Sequence, residues 1–378
     1  MNSNTGKKIV FISGTRADFG KIKSLINILE KNKGFSPYLF VTGMHLMHTY
    51  GYTVIEIQRS NFSNVHTFEN HTDETTMDLN LAKTIEGFSK YIKFIKPDLI
   101  VVHGDRVEAM AGAIVGALNN ILVAHIEGGE LSGTVDELIR HSVSKMSHVH
   151  FVANSNAKTR LLQMGESESS VKIIGSPDVD VMFSNKLPSL EEAKSYYQIK
   201  FEDYAVAMFH PVTTEFENIG DYANNFVKAL LSDDKNYIII YPNNDLGSKK
   251  ILNAYTALQN NKRFRIFPSL RFEYFLTLLK NSMFIIGNSS AGIREAPYYG
   301  IPTINIGTRQ ENRALHSHIV NVPYEETDIF NAINTKLQSI EISNELFGKG
   351  KSAQLFLETL LSSDFWSINK QKQFIDIL

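Results

Sequence analysis

The stretch IVVHGDRVEAMAGAIVGALNNILVAHIEGGELSGTVDELIRH, residues 100–141, decides how the rest of the chain is read. Two apolar runs, 99–102 and 121–126, each stop at a polar cluster. The first meets His103-Gly104-Asp105-Arg106 and the second Glu127-Gly128-Gly129-Glu130, and an acidic pair, Asp136-Glu137, follows. Short apolar runs that end abruptly at glycine and charge read as buried parallel strands meeting a cleft. In open α/β sheets, ligands sit beyond the carboxyl ends of the strands. Asp105, Glu127 and Asp136 are therefore expected at one pocket, where several carboxylates suit proton transfer.

The same rhythm extends outward. Strands are expected at residues 8–13, 38–42, 149–153 and 171–174 as well as at 99–103 and 122–126. Leu81, Ile85, Phe88, Ile92 and Ile95 step by four and three residues on one helical face, and Pro97 ends that helix. Val107, Met110, Ala111, Ile114 and Leu118 repeat the pattern. Alternating strands and helices predict a parallel sheet covered on both faces. Residues 61–76 are polar and unpatterned and read as a loop near the cleft. Residues 175–188 carry two prolines and little periodicity and read as a link. A second series of strands follows at 204–209, 237–241, 264–267, 283–287 and 303–306. The expected domains are 1–178 and 179–359. The tail from about 356 reads as helical, with Leu357, Leu361, Trp366 and Phe374 as anchors, and a helix from about 360 to 378 packs back on the first domain.

Composition narrows the function. The 378 residues are 43% hydrophobic and 21% charged, with a net charge of −2. That balance offers no bulk attraction to nucleic acid or an anionic membrane. Cysteine is absent, which excludes disulfides, thiol catalysis and Cys-ligated zinc and fits a cytoplasmic protein. No apolar run approaches the roughly 18 residues of a membrane span, and the N-terminus lacks a signal-peptide core. His45 with His48, and His148 with His150, lack nearby ligand partners and read as surface or interior histidines, so no metal is expected.

Three turns are suited to anions. Gly14-Thr15-Arg16-Ala17-Asp18-Phe19-Gly20-Lys21 follows the first strand and combines a glycine turn with Arg16 and Lys21. His210 closes the first strand of the second series, where it could meet a phosphate or serve as an acid. Gly287-Asn288-Ser289-Ser290-Ala291-Gly292-Ile293-Arg294-Glu295 runs from a strand into small residues and a helix start, the local pattern of a diphosphate site. Glu295 stands near that start, where a carboxylate could accept two ribose hydroxyls, and Arg309 and Arg313 follow the next strand.

Taken in order, GTRADFGK, HGDR, HIEGGELSGTVDE, the His210 turn, YPNND, GNSSAGIRE and GTRQ resemble the UDP-N-acetylglucosamine 2-epimerase family over nearly the whole chain. The resemblance implies two Rossmann-like α/β domains with a central cleft, in the B-type glycosyltransferase arrangement, with UDP-N-acetylglucosamine or UDP as partner, no cofactor, and a homodimer or homotetramer. It assigns Asp105, Glu127 and Asp136 as active-site acids and His210 as the active-site histidine. Arg16, Lys21, Arg106, Asn243, Ser289, Ser290, Glu295 and Arg309 match nucleotide-contacting positions, and Leu270 resembles a residue lining the base pocket. The family acid at position 136 is often Glu; the register with Arg140 selects Asp136 over Glu137. Non-hydrolysing members carry Gln-His-Arg-Glu-Met after the second strand, where a second substrate molecule binds. Here the segment is Gly43-Met44-His45-Leu46-Met47-His48, so the hydrolysing branch, which releases N-acetylmannosamine and UDP, is expected. The non-hydrolysing reaction, a GDP-linked substrate, a retaining glycosyltransferase and a non-catalytic sugar-nucleotide binder are the alternatives.

Overall fold

The computed structural model describes residues 6–71, 76–311, 313, 319–335, 337 and 346–376. The chain divides into two units, Met1–Glu130 with Asp136–Ser184 and Glu345–Leu378, and Leu131–Val135 with Asn185–Asn344.

The first unit holds seven strands: β1 (Lys7–Ser13), β2 (Phe35–Val41), β3 (Val65–Thr67), β4 (Leu99–His103), β5 (Leu122–Ile126), β6 (Val149–Val152) and β7 (Val171–Ile173). All pairs are parallel, in the order β3-β2-β1-β4-β5-β6-β7. The order reverses between β1 and β4, so the loops after these two strands flank a switch-point crevice. Every residue of β4 and β5 is buried, which is why both read as continuous apolar runs. The core between them gathers Ile9, Phe11, Leu99, Val101, Ala124 and Phe151 with Phe356 and Leu360 from the tail.

The second unit repeats the design with β8 (Ala205–Met208), β9 (Tyr237–Ile240), β10 (Phe264–Phe267), β11 (Ile285–Gly287), β12 (Thr303–Ile306) and β13 (Ile319–Val322), in the parallel order β10-β9-β8-β11-β12-β13. Its switch point lies between β8 and β11. Gly287, at φ 128°, is required there: a Cβ would sit 1.9 Å from the Met208 carbonyl oxygen.

Five expectations change. Within 61–76, Val65–Thr67 forms an edge strand whose three residues are all exposed, so no alternation marks it; residues 72–75 lie outside the described residues. Edge strand β13 was likewise unsignalled, because its residues are half-buried or exposed. The helix Val107–Leu118 does not turn its whole 107/110/111/114/118 face to the sheet. Leu118 is 79% exposed; Val107 and Ala111 are buried, and so are Ala109, Gly112, Ala113 and Gly116. A Cβ on Gly116 would come within 2.3 Å of Val123, so small residues permit the close approach. The 175–188 link contains the helix Pro177–Met182, which packs on both the Arg16–Glu30 helix and the Ser352–Leu361 helix; the division therefore follows Ser184 rather than residue 178, and the tail rejoins from 345 rather than 360. Finally, among the described residues the tail is helical only over Ser352–Leu361 and Ser363–Trp366, with Leu361 and Phe374 exposed.

The non-helical tail still docks. Lys372 Nζ donates to the carbonyls of Ser144, Lys145 and Ser147 at the end of the Val135–Met146 helix, at 3.0, 2.9 and 2.7 Å. Cations at a helix C-terminus satisfy its last carbonyls and its dipole. Lys372 also pairs with Glu166 at 2.6 Å, and Glu166 meets His150 Nε2 at 2.9 Å. Burial alone would raise the Glu166 carboxyl, but His150 and Lys372 hold it down at about 2. Its folded value lies below its ordinary 4.5, so the unfolded chain binds the extra proton. The resulting stability is present above about pH 5 and is lost as pH falls toward about 2. Glu166→Gln is expected to lower unfolding free energy by about 2 kcal/mol at pH 7 and to flatten its acid dependence, read by urea denaturation across pH.

Candidate active site

In the first unit, the two switch-point strands deliver polar residues at their carboxyl ends. After β1, Thr15 caps the Arg16–Glu30 helix: its side chain accepts from the Asp18 N–H while Asp18 accepts from the Thr15 N–H. That capping box fixes the first turn, which places Arg16 3.1 Å from Glu56 and Lys21 inside the fold. After β4, Asp105 accepts a hydrogen bond from Arg140, and Arg106 Nε lies 3.4 Å from the Glu108 carboxylate.

Glu127 follows β5 with φ 65°, a left-handed conformation that costs a non-glycine residue energy and is typical of functional sites. Its carboxylate is 4% exposed. Oε1 accepts from the Ser176 hydroxyl at 2.6 Å and lies 3.5 Å from Lys21 Nζ, which is also 3.6 Å from Asp178. Oε2 lies 3.4 Å from His103 Nε2, and His103 Nδ1 lies 3.7 Å from Asp18. Arg140, itself buried, donates to the Glu127 carbonyl at 2.7 Å while its other nitrogen holds Asp105. Lys21 and Glu127 are thus in direct contact, and Arg140 yokes Asp105 to Glu127. Asp136 occupies the first turn of the helix that carries Arg140, one turn earlier.

Burial opposes charge on every group here, but the outcomes differ. His103 is pushed up to about 9 despite burial, by the carboxylates of Glu127 and Asp18. Asp18, which burial would raise, is held below its ordinary value chiefly by His103 and also by Arg106. His125, one strand away on β5, is pushed down to about 3 by burial, with only neutral hydrogen-bond partners: the Gly104 carbonyl at 2.8 Å and the Ser144 hydroxyl at 3.0 Å. His45 behaves similarly, at about 4, between the hydroxyls of Ser13 and Thr53.

The second unit organises its switch point around Asn288, which is fully buried. Its side-chain carbonyl accepts the His210 N–H at 2.6 Å and its amide donates to the His210 carbonyl at 2.9 Å, clamping the loop after β8 to the end of β11. The Asn243 N–H donates to His210 Nδ1 at 3.0 Å, which makes Nδ1 an acceptor and leaves the proton of neutral imidazole on Nε2. The Asn243 side chain donates to Asp245. Arg309 and Gln310 donate to the Asn288 carbonyl at 3.2 and 2.8 Å, and Glu215 accepts from Thr308 and Tyr324, which fixes the loop after β12. Ser289 accepts from the Ala291 N–H at 3.3 Å, and Ser290 precedes the helix. Leu270 is buried in the loop after β10, beside Arg271, whose N–H donates to the Tyr197 hydroxyl at 2.8 Å.

One expectation fails here. The Ala291–Arg294 helix is a single turn, and buried Glu295 is its C-terminal cap rather than a residue of its start. Pro297, two residues on, prevents a regular continuation. Residues the sequence did not single out include Asn288, Ser176, Asp178 and the pair Asp18–His103. A Thr-x-x-Asp capping box after the first strand was the available signal for Asp18. Nothing local marks Ser176, which is 49 residues from Glu127.

Comparison with known proteins agrees with this architecture. A family model described as UDP-N-acetylglucosamine 2-epimerase matches residues 27–361. The chain is 50% identical to a UDP-N-acetylglucosamine 2-epimerase of Neisseria meningitidis serogroup B, covering 98% of this chain and 99% of that one. It is 31% identical to a UDP-N,N'-diacetylbacillosamine 2-epimerase (hydrolyzing) of Legionella pneumophila, over 92% and 94%. Among solved structures, it is similar to the UDP-GlcNAc 2-epimerase of Methanocaldococcus jannaschii in complex with UDP-GlcNAc and UDP, with 25% identity, a TM-score of 0.79, and coverage of 93% and 99%. With this match across both sheets and both switch points, the chain belongs to the UDP-N-acetylglucosamine 2-epimerase family.

Proposed function

We propose that this protein is a hydrolysing UDP-N-acetylglucosamine 2-epimerase, converting UDP-N-acetylglucosamine and water to N-acetylmannosamine and UDP. The observation that carries the reading is the yoke through Arg140, which sets Asp105 and Glu127 at neighbouring strand ends. The hydrolysing branch is favoured by the 43–48 segment, which lacks the Gln and Arg expected of a second-substrate site; its His45 is fully buried and bonded to Ser13 and Thr53. A relative whose name includes "hydrolyzing" aligns over 92% of the chain.

The chemistry follows from the substrate. The proton on C2 of the sugar is not next to a carbonyl and is barely acidic. As the C1–O bond to the diphosphate breaks, positive character on C1 acidifies C2–H. A carboxylate then takes the proton, the C2–H electrons form the C1=C2 bond, and the diphosphate leaves with the C1–O electrons. The products of this step are 2-acetamidoglucal and UDP. Water adds to C1, and a proton returns to C2 on the opposite face, which gives N-acetylmannosamine. Two faces of one carbon need two differently placed acids, and Asp105, Glu127 and Asp136 supply the candidates. On this reading Arg16, Lys21 and Arg106 of the first unit, and His210, Asn243, Ser289, Ser290, Glu295 and Arg309 of the second, meet the nucleotide, with Leu270 against the base. His210 would offer its Nε2–H to the leaving diphosphate as a neutral donor, since Nδ1 already accepts from Asn243.

A proton NMR time course with UDP-N-acetylglucosamine in deuterated water is expected to yield UDP and free N-acetylmannosamine bearing deuterium at C2. Deuterated UDP-N-acetylmannosamine in equilibrium with substrate would instead assign the non-hydrolysing reaction, and an inert mixture would exclude this substrate. Asp105→Asn and Glu127→Gln are each expected to lower kcat by roughly 10³-fold. UDP affinity, measured by calorimetry, should stay within about 3-fold, because the lost carboxylate acts on the sugar; an active amide variant would remove that residue from the mechanism.

A further inference from the structure

We propose that His103 is a positioning residue that stays positively charged in the working protein, and that Asp18 and His103 together keep Glu127 as the ionised carboxylate among the active-site acids. The charge state stands on geometry in the first unit alone. Its consequence for catalysis rests on the reaction proposed above.

The charges around His103 favour it, although Lys21 opposes the ring's charge. Three buried or nearly buried carboxylates, those of Asp18, Glu127 and Asp178, gather about Lys21 and the imidazole. Lys21, on the same helix as Asp18, neutralises one. Arg106, at the end of the turn after β4, acts on Asp18 from the other side. A neutral imidazole would leave Glu127 and Asp18 facing an uncharged ring at 3.4 and 3.7 Å in a place where water cannot compensate. An imidazolium meets a carboxylate at each nitrogen. At 3.4 and 3.7 Å both contacts are long for hydrogen bonds, so the attraction is largely Coulombic and grows with the charge on the ring.

The neighbouring histidines serve as internal controls. His45, His103 and His125 are all at most 6% exposed. His45 and His125 face hydroxyls and a carbonyl, and burial drives both toward the neutral form, to about 4 and about 3. Only His103 faces two carboxylates, and it alone moves upward, to about 9. Among these three the difference follows the carboxylates at the ring; His150, with the single carboxylate of Glu166 at 2.9 Å, is still pushed down by burial, so one such partner does not suffice. His125 also lies close enough to feel the charge on His103 and is pushed further down by it.

For catalysis, the consequence is an assignment. Glu127 receives Lys21, His103 and the Ser176 hydroxyl on its two oxygens, all of which favour the carboxylate over the acid. Glu127 is thereby suited to take the C2 proton rather than to give one. His103 itself touches no reacting atom in this scheme; it acts through Glu127.

The direct test is the titration of the ring by ¹⁵N-histidine NMR on the free, full-length protein, with His103→Gln used to assign the signal. Both ring nitrogens of His103 are expected to remain protonated through pH 8 and to titrate near 9. Asp18→Asn keeps an acceptor for the Thr15 N–H, so the cap survives, and it is expected to lower the titration midpoint by about one pH unit. A neutral His103 ring at pH 7, or an Asp18→Asn protein with an unchanged midpoint, overturns the proposal. In turnover assays, His103→Gln is expected to lower kcat roughly 10-fold at pH 7 with KM within about 3-fold, and to move the acid limb of the kcat profile up by about one pH unit. A merely structural role would lower activity without moving that limb. If His103→Gln does not fold, Asp18→Asn carries both readouts. If wild-type protein shows no epimerase turnover, the functional reading fails while the ring titration still decides the charge on His103.

Discussion

Arg140 is the residue on which the first unit's chemistry depends. Its side chain is 2% exposed, so its charge and its donors must be answered inside the fold. One nitrogen binds the Glu127 main chain and another the Asp105 carboxylate. The loop after β4, the loop after β5 and the Val135–Met146 helix are thereby tied at one point. One turn on, the same face of that helix is held by Ser144, through His125 to the Gly104 carbonyl, and Lys372 binds its far end. Removing the guanidinium would leave a carboxylate and a strained backbone carbonyl without their buried donor, which is far costlier than losing a surface ion pair.

The second unit solves the corresponding problem without charge. Asn288 presents an acceptor and a donor in one plane, and the His210 main chain presents the reverse pair. One buried amide therefore closes the crevice side of β8 against β11, and its own carbonyl gathers Arg309 and Gln310. The contrast follows from burial and chemistry. A fully hydrogen-bonded amide costs less to bury than an ion, whereas a clamp that must hold a carboxylate needs a cation.

Most of the legible strands share one property: both faces are covered. β4, β5, β9 and β12 match their apolar runs because every residue on them is buried. The misread elements are those with one face open or with packing set by size rather than hydrophobicity. β3 and β13 are edges. The Val107–Leu118 helix buries Ala109, Ala111, Gly112, Ala113 and Gly116 as fully as Val107 and Val115, while Leu118 is exposed, which the apolar periodicity did not indicate. The site follows the same division. Asp105 and Glu127 stand beside glycine turns at strand ends, His210 follows the end of an apolar strand, and Lys21 lies one turn into the helix that follows the first glycine turn. His103 looked like the last residue of a strand, and Ser176 and Asp178 like a linker.

The sequence by itself determined the alternation of strands and helices, the two-fold repetition of an α/β unit, and the turns where chemistry is placed, because each is a local pattern of apolar runs, glycine and charge. Only the tertiary structure decided which charges meet. His103, His125 and His45 are indistinguishable as residues in apolar surroundings. Two become neutral and one charged because Asp18 and Glu127, 85 positions before and 24 after His103, both fold to within 3.7 Å of its ring. A side chain's ionisation is fixed by its partners in space, and parallel-sheet topology brings those partners from distant parts of the chain.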